Sequence, residues 1–260
     1  MSGAKMIDPQ SLPVGFSKIV MDTLSLKAAF GLRFSDAGSG RPLTAAPPRV
    51  RLMYETRLID ATKNDGGAMV AHLLPGPRDR TRILVTDPAG RFLGFSFAAT
   101  APSAKGWMLP ACVTGPFLPL MPSPTAPLSG TEATLRVTLL EAAQRPARCA
   151  VLSLFEGTQL LAQSFADENG RVLLVLPWPE PQPGVLAGQS WTRRLELRWR
   201  TGFAAEQPRD PAEPSILLPD LCDLLRQPLA QLRMADGTTV TEATLRHGKP
   251  TELSTLFVHP

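Results

Sequence analysis

Few side chains in this sequence are able to do chemistry, and their spacing keeps them apart. The three histidines are His72, His247 and His259. None stands beside another histidine, a cysteine or a paired carboxylate at ligand spacing. His72 falls in an apolar run and reads as a satisfied core or edge histidine. His247, within Arg246-His247-Gly248-Lys249, reads as an exposed turn, and His259 is next to the end. Ser96 lies in Gly94-Phe95-Ser96-Phe97-Ala98, one residue short of a nucleophile elbow. That motif needs a strand-to-helix turn with glycine on both sides. Here the serine falls in a strand pattern and no helix follows, so a hydrolase reading rests only on Ser96 and His72 sharing one unit.

Metal and cofactor chemistry find no better footing. Asp65-Gly66-Gly67 and Asp236-Gly237 lack the alternating oxygen ligands of a calcium loop and read as turns. No glycine loop suited to cradling a phosphate occurs. Cys112, Cys149 and Cys222 are far apart, odd in number and without CxxC spacing. They read as small apolar residues kept reduced, because a disulfide-built domain carries an even and denser set. No catalytic residue, cofactor or metal is therefore expected. The tryptophans remain. Trp178 sits between two prolines and Trp107 opens an apolar, Pro-rich stretch; either can anchor an interface or plug the end of a sandwich. Trp191 and Trp199 read as core or strand residues.

The elements that position these residues are short strands. The 27 prolines cluster at 116–127, 177–183 and 208–219, between apolar runs rather than inside them, which argues against long helices. Strands are expected at 26–34, 49–56, 68–74, 82–86, 91–97, 134–140, 150–155, 160–165, 171–176 and 193–199. Asp87-Pro88-Ala89-Gly90 is a hairpin signal, since proline presets one turn residue and glycine accepts positive φ. Residues 219–225 suggest one or two helical turns with Asp220 at the N-terminal end. A hairpin turning at Asp236-Gly237 and a last strand at 253–258 follow.

The pattern repeats. Asp65-Gly66-Gly67 and Leu74-Pro75 match Asp167-Glu168-Asn169-Gly170 and Leu176-Pro177 at an offset of about 102 residues. Residues 50–54 match 151–155 and residues 91–97 match 193–199 at nearly the same offset. A register held over three segments points to one fold written twice. The expected fold class is all-β: two tandem Ig-like or transthyretin-like β-sandwiches with a short C-terminal helix and hairpin. The expected divisions are 1–24, a leader; 25–100, the first sandwich; 101–130, a Pro-rich apolar linker that packs along the domains; 131–202, the second sandwich; and 203–260, a C-terminal extension that opens with a polar linker at 203–214.

The second unit is similar to carboxypeptidase-regulatory-like domains, also called transthyretin-like. The likeness lies in Ala150-Val151-Leu152-Ser153-Leu154 and in Ala166-Asp167-Glu168-Asn169-Gly170-Arg171, with the apolar strand that runs from there to Pro177. The first unit departs at Asp65-Gly66-Gly67, which lacks the arginine. The resemblance implies a sandwich fold and a non-catalytic role as spacer, recognition module or assembly module, of the kind found in accessory proteins of phage tails and contractile injection systems. It carries over no catalytic residue.

Net charge is +4 with 43% hydrophobic residues. Arg193, Arg194, Arg198 and Arg200 form the densest basic group, and Arg198 and Arg200 alternate with Leu197 and Trp199 as the wet face of a strand; with one tyrosine and no continuous basic run, nucleic acid is not an expected partner. No signal peptide is recognisable, and no apolar run approaches the roughly 20 residues of a membrane span. The expectation is cytoplasmic synthesis and a place in a virion or injection particle, with other protein subunits as partners. Docking by strand addition is expected through the leader (Ile19, Val20, Leu24) and the tail (Leu253, Phe257), with Trp107 and Trp178 as interface anchors. The alternative is a carbohydrate- or peptide-binding module using the loop tryptophans.

Overall fold

A computed structural model describes residues 30–72, 74, 76–77, 80–99, 109–113, 115–127, 132–178, 190–246 and 249–260. The leader residues Ile19, Val20 and Leu24, together with Trp107 and His247, lie outside the described residues. The chain is nearly all β. The first unit contains β1 (Phe30–Leu32), β2 (Phe34–Asp36), β3 (Arg49–Tyr54), β4 (Arg57–Asp60), β5 (Thr62–Lys63), β6 (Met69–Ala71), β7 (Arg82–Thr86), β8 (Phe95–Ala98) and β9 (Leu118–Leu120). The second contains β10 (Glu132–Leu140), β11 (Val151–Glu156), β12 (Gln159–Phe165), β13 (Arg171–Pro177) and β14 (Ser190–Arg198). A 3-10 turn (Phe203–Glu206) and α1 (Leu221–Leu225) follow, then β15 (Leu229–Arg233), β16 (Glu242–Arg246), β17 (Thr251–Glu252) and β18 (Leu256–His259).

In the first unit the sheet β4-β3-β7-β8 shares one apolar core with β1-β6-β5 and with the parallel pair β2-β9. Val50, Leu52, Ile83, Val85, Phe95 and Phe97 alternate inward, and Leu118 and Leu120 fill the same core. Residues 118–121 therefore belong to the first unit and not to a linker. In the second unit the strands run β12-β11-β14-β15-β18-β10-β13 around a core of Leu135, Leu152, Leu154, Leu174, Leu197 and Trp199.

The spacing of 102 residues recurs in the ladder. Strands β1 and β10 start at 30 and 132, β3 and β11 at 49 and 151, β4 and β12 at 57 and 159, β6 and β13 at 69 and 171. Each pairs alike: β1 with β6 and β10 with β13, β3 with β4 and β11 with β12, all antiparallel. The third matching segment departs. The strand beside β3 is β7, starting at 82, while its counterpart beside β11 is β14, starting at 190. Residues 91–94 lie outside any strand of the sheet, with Phe92 bridged to Pro122, and only β8 beyond them is strand.

Two turns share one device. Asp167 accepts from the Arg171 amide at 2.9 Å, and the Arg171 guanidinium closes back on it at 2.8 Å. Asp87 and Arg91 do the same at 2.9 and 3.0 Å. The first unit thus has its Asp-x-x-G-R turn at 87–91, between β7 and β8, two connections later than the Asp65-Gly66-Gly67 turn between β5 and β6. In that earlier turn Asn64, not Asp65, takes the aspartate's place, accepting from Ala68 at 2.9 Å. Gly170 has φ +74, and a Cβ there would lie 2.3 Å from Leu139 O, so this turn admits only glycine.

The segment 203–260 is not an appended extension. Phe203, Leu221 and Leu224 lie in the first core, whereas Leu232, Ala243, Leu245, Leu256 and Val258 lie in the second. The helix forms where the sequence places it: Asp220 caps it by accepting from Cys222 N at 3.0 Å and Asp223 N at 3.2 Å. The turn at Asp236-Gly237 also forms, with Met234 N donating to Thr238 O at 2.8 Å.

Candidate functional site

Ser96, the serine of the elbow-like segment, is used in the joint between the units. Ser96 is 0% exposed; its hydroxyl donates to Leu218 O at 2.9 Å and accepts from Arg82 at 3.0 Å. The Ser96 amide donates to Pro219 O at 2.8 Å, and Arg82 pairs with Asp220 at 2.9 Å. Ser96 therefore pins the crossing segment, residues 199–228 between β14 and β15, to the β8 edge, while His72 is exposed just after β6.

The expectation of three reduced cysteines is corrected. Cys112 and Cys222 form a disulfide across 110 residues, and Cys149 alone is free and buried. Distance in sequence hid the pair, because α1 folds back onto residues 109–113. Burial pushes the Cys149 thiol up to about 12, which removes its thiolate at neutral pH.

The expected polar linker at 203–214 is also corrected. Asp210 is buried against Arg51, each side chain 4% exposed. Arg51 sits on the face of β3 that alternation marks as wet, and the crossing segment covers that face. Burial pushes the Asp210 carboxyl up, but Arg51 and the Ala212 amide outweigh it and hold the group below its ordinary range. Gln227 completes the joint, donating to Cys149 O at 2.8 Å and accepting from Arg200 N at 3.0 Å.

The tail strand does not present an edge. Strand β18 lies between β10 and β15, with Phe257 opposite both Leu140 and Arg233. Phe257 is half-buried, and Leu253 packs on the second core with its amide bonded to Arg136 O at 2.9 Å. Strand addition from this tail would first have to break the chain's own sheet.

A concave apolar site does form at one end of the second unit. The ends of β11, β12, β13, β14 and β16 converge there on a cavity of about 300 Å³. Alternation along β14 points Trp191 and Arg193 inward, and the end of β13 delivers Trp178. The two indole rings lie 5.7 Å apart at 40°. Leu161, Leu176 and Leu245 form the floor, and Arg193 pairs with Glu156 at 2.6 Å at the mouth. Leu160 beside it is 47% exposed. The rings offer apolar faces and the ion pair offers a polar rim, a combination suited to a sugar face or an apolar side chain. Trp178 was legible as a loop aromatic; Trp191 and the Arg193–Glu156 pair were not, because only strand pairing brings them to it. Among the described residues no group of three or more His, Cys, Asp or Glu is placed to hold a metal ion.

No family model matches the chain, and no curated protein matches it. Among solved structures, it is similar to GBS52, the minor pilin of the gram-positive pathogen Streptococcus agalactiae. That likeness has 11% identity and a TM-score of 0.25 over 89% of this chain and 97% of the pilin. The Bacillus anthracis TIE protein is similar at 11% identity and a TM-score of 0.22, over 90% of this chain and 51% of that one. Similarity of this order does not define a shared fold.

Proposed function

We propose that this chain is a non-enzymatic structural or adaptor protein made of two copies of one β-sandwich, and a component of a larger assembly such as a phage-like tail or contractile injection system. The observation that carries this reading is the joint. Arg51–Asp210, Arg82–Asp220, Ser96 on Leu218 and Pro219, the Cys112–Cys222 disulfide and Gln227 all fasten one crossing segment between two cores. Such a joint suppresses relative motion of the units, which favours a rigid spacer over a hinged enzyme. Residues 1–24 remain the proposed docking element.

The test is recovery of tagged full-length protein from its own cells without denaturant, followed by velocity sedimentation and electron microscopy. Co-sedimentation with particles, reduced by deletion of 1–24, is the expected result. A free monomer that turns over an ester substrate, with turnover lost in Ser96→Ala, overturns the reading. Equal partner recovery without 1–24 removes the docking role of the leader alone.

A second reading is favoured by the Trp178–Trp191 cavity: a binding module for carbohydrate or peptide. Saturable binding on a glycan or peptide array that Trp191→Ala weakens would support it. A flat array signal for the wild-type chain would remove it.

A further inference from the structure

A second concavity lies where the β10–β11 loop meets the chain that leaves β14. It encloses about 620 Å³ and is lined by four guanidiniums, from Arg145, Arg148, Arg200 and Arg209, against one carboxylate, Glu141. The buried rings of Trp199 and Phe203 underlie it, and the Arg200 guanidinium stands 5.5 Å from the Phe203 ring centre.

The guanidiniums are held loosely while their backbone is held firmly. Arg145, its side chain 70% exposed, meets Glu141 at 2.6 Å. Arg148 meets Glu168 at 3.2 Å, and Arg200 meets Glu206 at 2.5 Å, on exposed side chains. Exposed pairs like these contribute little and exchange readily for an incoming anion. Arg209 donates to Pro214 O at 3.1 Å and makes no ion pair among the described residues. Underneath, Glu141 N donates to Arg145 O at 2.8 Å, Arg148 N to Pro146 O at 2.9 Å, and Arg200 N to Gln227 at 3.0 Å. Each planar fork can accept a carboxylate through two bonds, and the fixed backbone keeps the four stems around one groove.

We propose that this groove docks an extended acidic segment of a partner protein. Its carboxylates would replace Glu141 and Glu206 on Arg145 and Arg200 and pair with Arg209, while its stems lie over the aromatic floor. The inference rests on the adaptor reading only for the partner's being a protein.

The test uses the full-length chain and a fluorescein-labelled hexaglutamate peptide, read by anisotropy at low and high salt. Saturable binding is expected. Arg145→Glu with Arg209→Glu should weaken it by about tenfold or more, while Arg145→Gln with Arg209→Gln has a smaller effect in the same direction. Arg57→Glu with Lys63→Glu makes the same charge change on exposed residues of the first unit and should leave affinity within about twofold. Equal loss in both pairs of variants assigns the binding to net charge and overturns the proposal. So does the absence of saturable binding, or tighter binding of a single-stranded DNA hexamer with the same dependence on Arg145 and Arg209. If the peptide binds in the groove but the protein sediments free of any assembly, the adaptor reading falls and the groove stands; the reverse pattern removes the groove alone.

Discussion

Arg51 and Asp210 show how a residue's role depends on what covers it. In sequence Arg51 alternates with Val50 and Leu52 and reads as solvent-facing; in the fold, Asp210 arrives from 159 residues away. Removing one partner leaves a buried charge uncompensated, so Arg51→Met should cost about 3–5 kcal/mol in urea unfolding. Arg51→Met with Asp210→Leu should recover most of that loss, because the apolar pair needs no compensation. The acid response follows from the same carboxyl and from Asp87. Burial pushes Asp87 up, but Arg91 and the amides of Arg91 and Ala89 bring the net shift down. Groups depressed in the folded state contribute stability above their unfolded pKa, about 4. That contribution is lost as pH falls through the lower folded values. The melting temperature should hold from neutrality to about pH 4 and then fall, less steeply in Asp87→Asn. Thiol counting checks the cysteines: none reactive in the native chain, one after unfolding, and all three after unfolding with reductant.

The hairpins show which elements the sequence discloses and which it hides. Strands β3 and β4 turn through Glu55-Thr56, and β11 and β12 turn through Gly157-Thr158, 102 residues later. The first position of each turn has positive φ, 52° at Glu55 and 56° at Gly157. Glutamate there bears the left-handed strain that glycine avoids. Glu55→Gly should therefore raise stability by about 0.5–1 kcal/mol, read as a higher denaturation midpoint at unchanged slope. Strands β7, β11, β12 and β13 were legible as short apolar runs bounded by turn residues, and the Asp-x-x-G-R turns from their own chemistry. Strand β4 was not, because Arg57, Leu58 and Asp60 are exposed and leave no periodic apolar face. Strand β9 was hidden by Pro119, tolerated because among the described residues β9 pairs with β2 alone. The Trp178–Trp191 cavity and the arginine groove were illegible for a common reason: each gathers residues from segments joined only by tertiary packing.

At the scale of the whole molecule, the crossing segment decides whether the two units behave as one body. It leaves β14 in the second unit, lays Phe203, Leu221 and Leu224 into the first core, and returns to the second as β15. The disulfide closes a loop of 110 residues around this crossing. Loop-closure entropy in the unfolded chain gives it about 3–5 kcal/mol. The effect should be local in the native state, because α1 has only five residues and is held by its Asp220 cap, the first core and Cys222. The second core, by contrast, is ringed by ladder hydrogen bonds that Cys222 does not touch. Cys112→Ser with Cys222→Ser should therefore speed hydrogen exchange at 217–227 and lower the first unit's unfolding midpoint, while amides of β10 and β13, whose alternate buried side chains lie in the second core, keep their protection. Uniform loss of protection in both units would mean that the units unfold as one cooperative body and that the disulfide stabilises both equally.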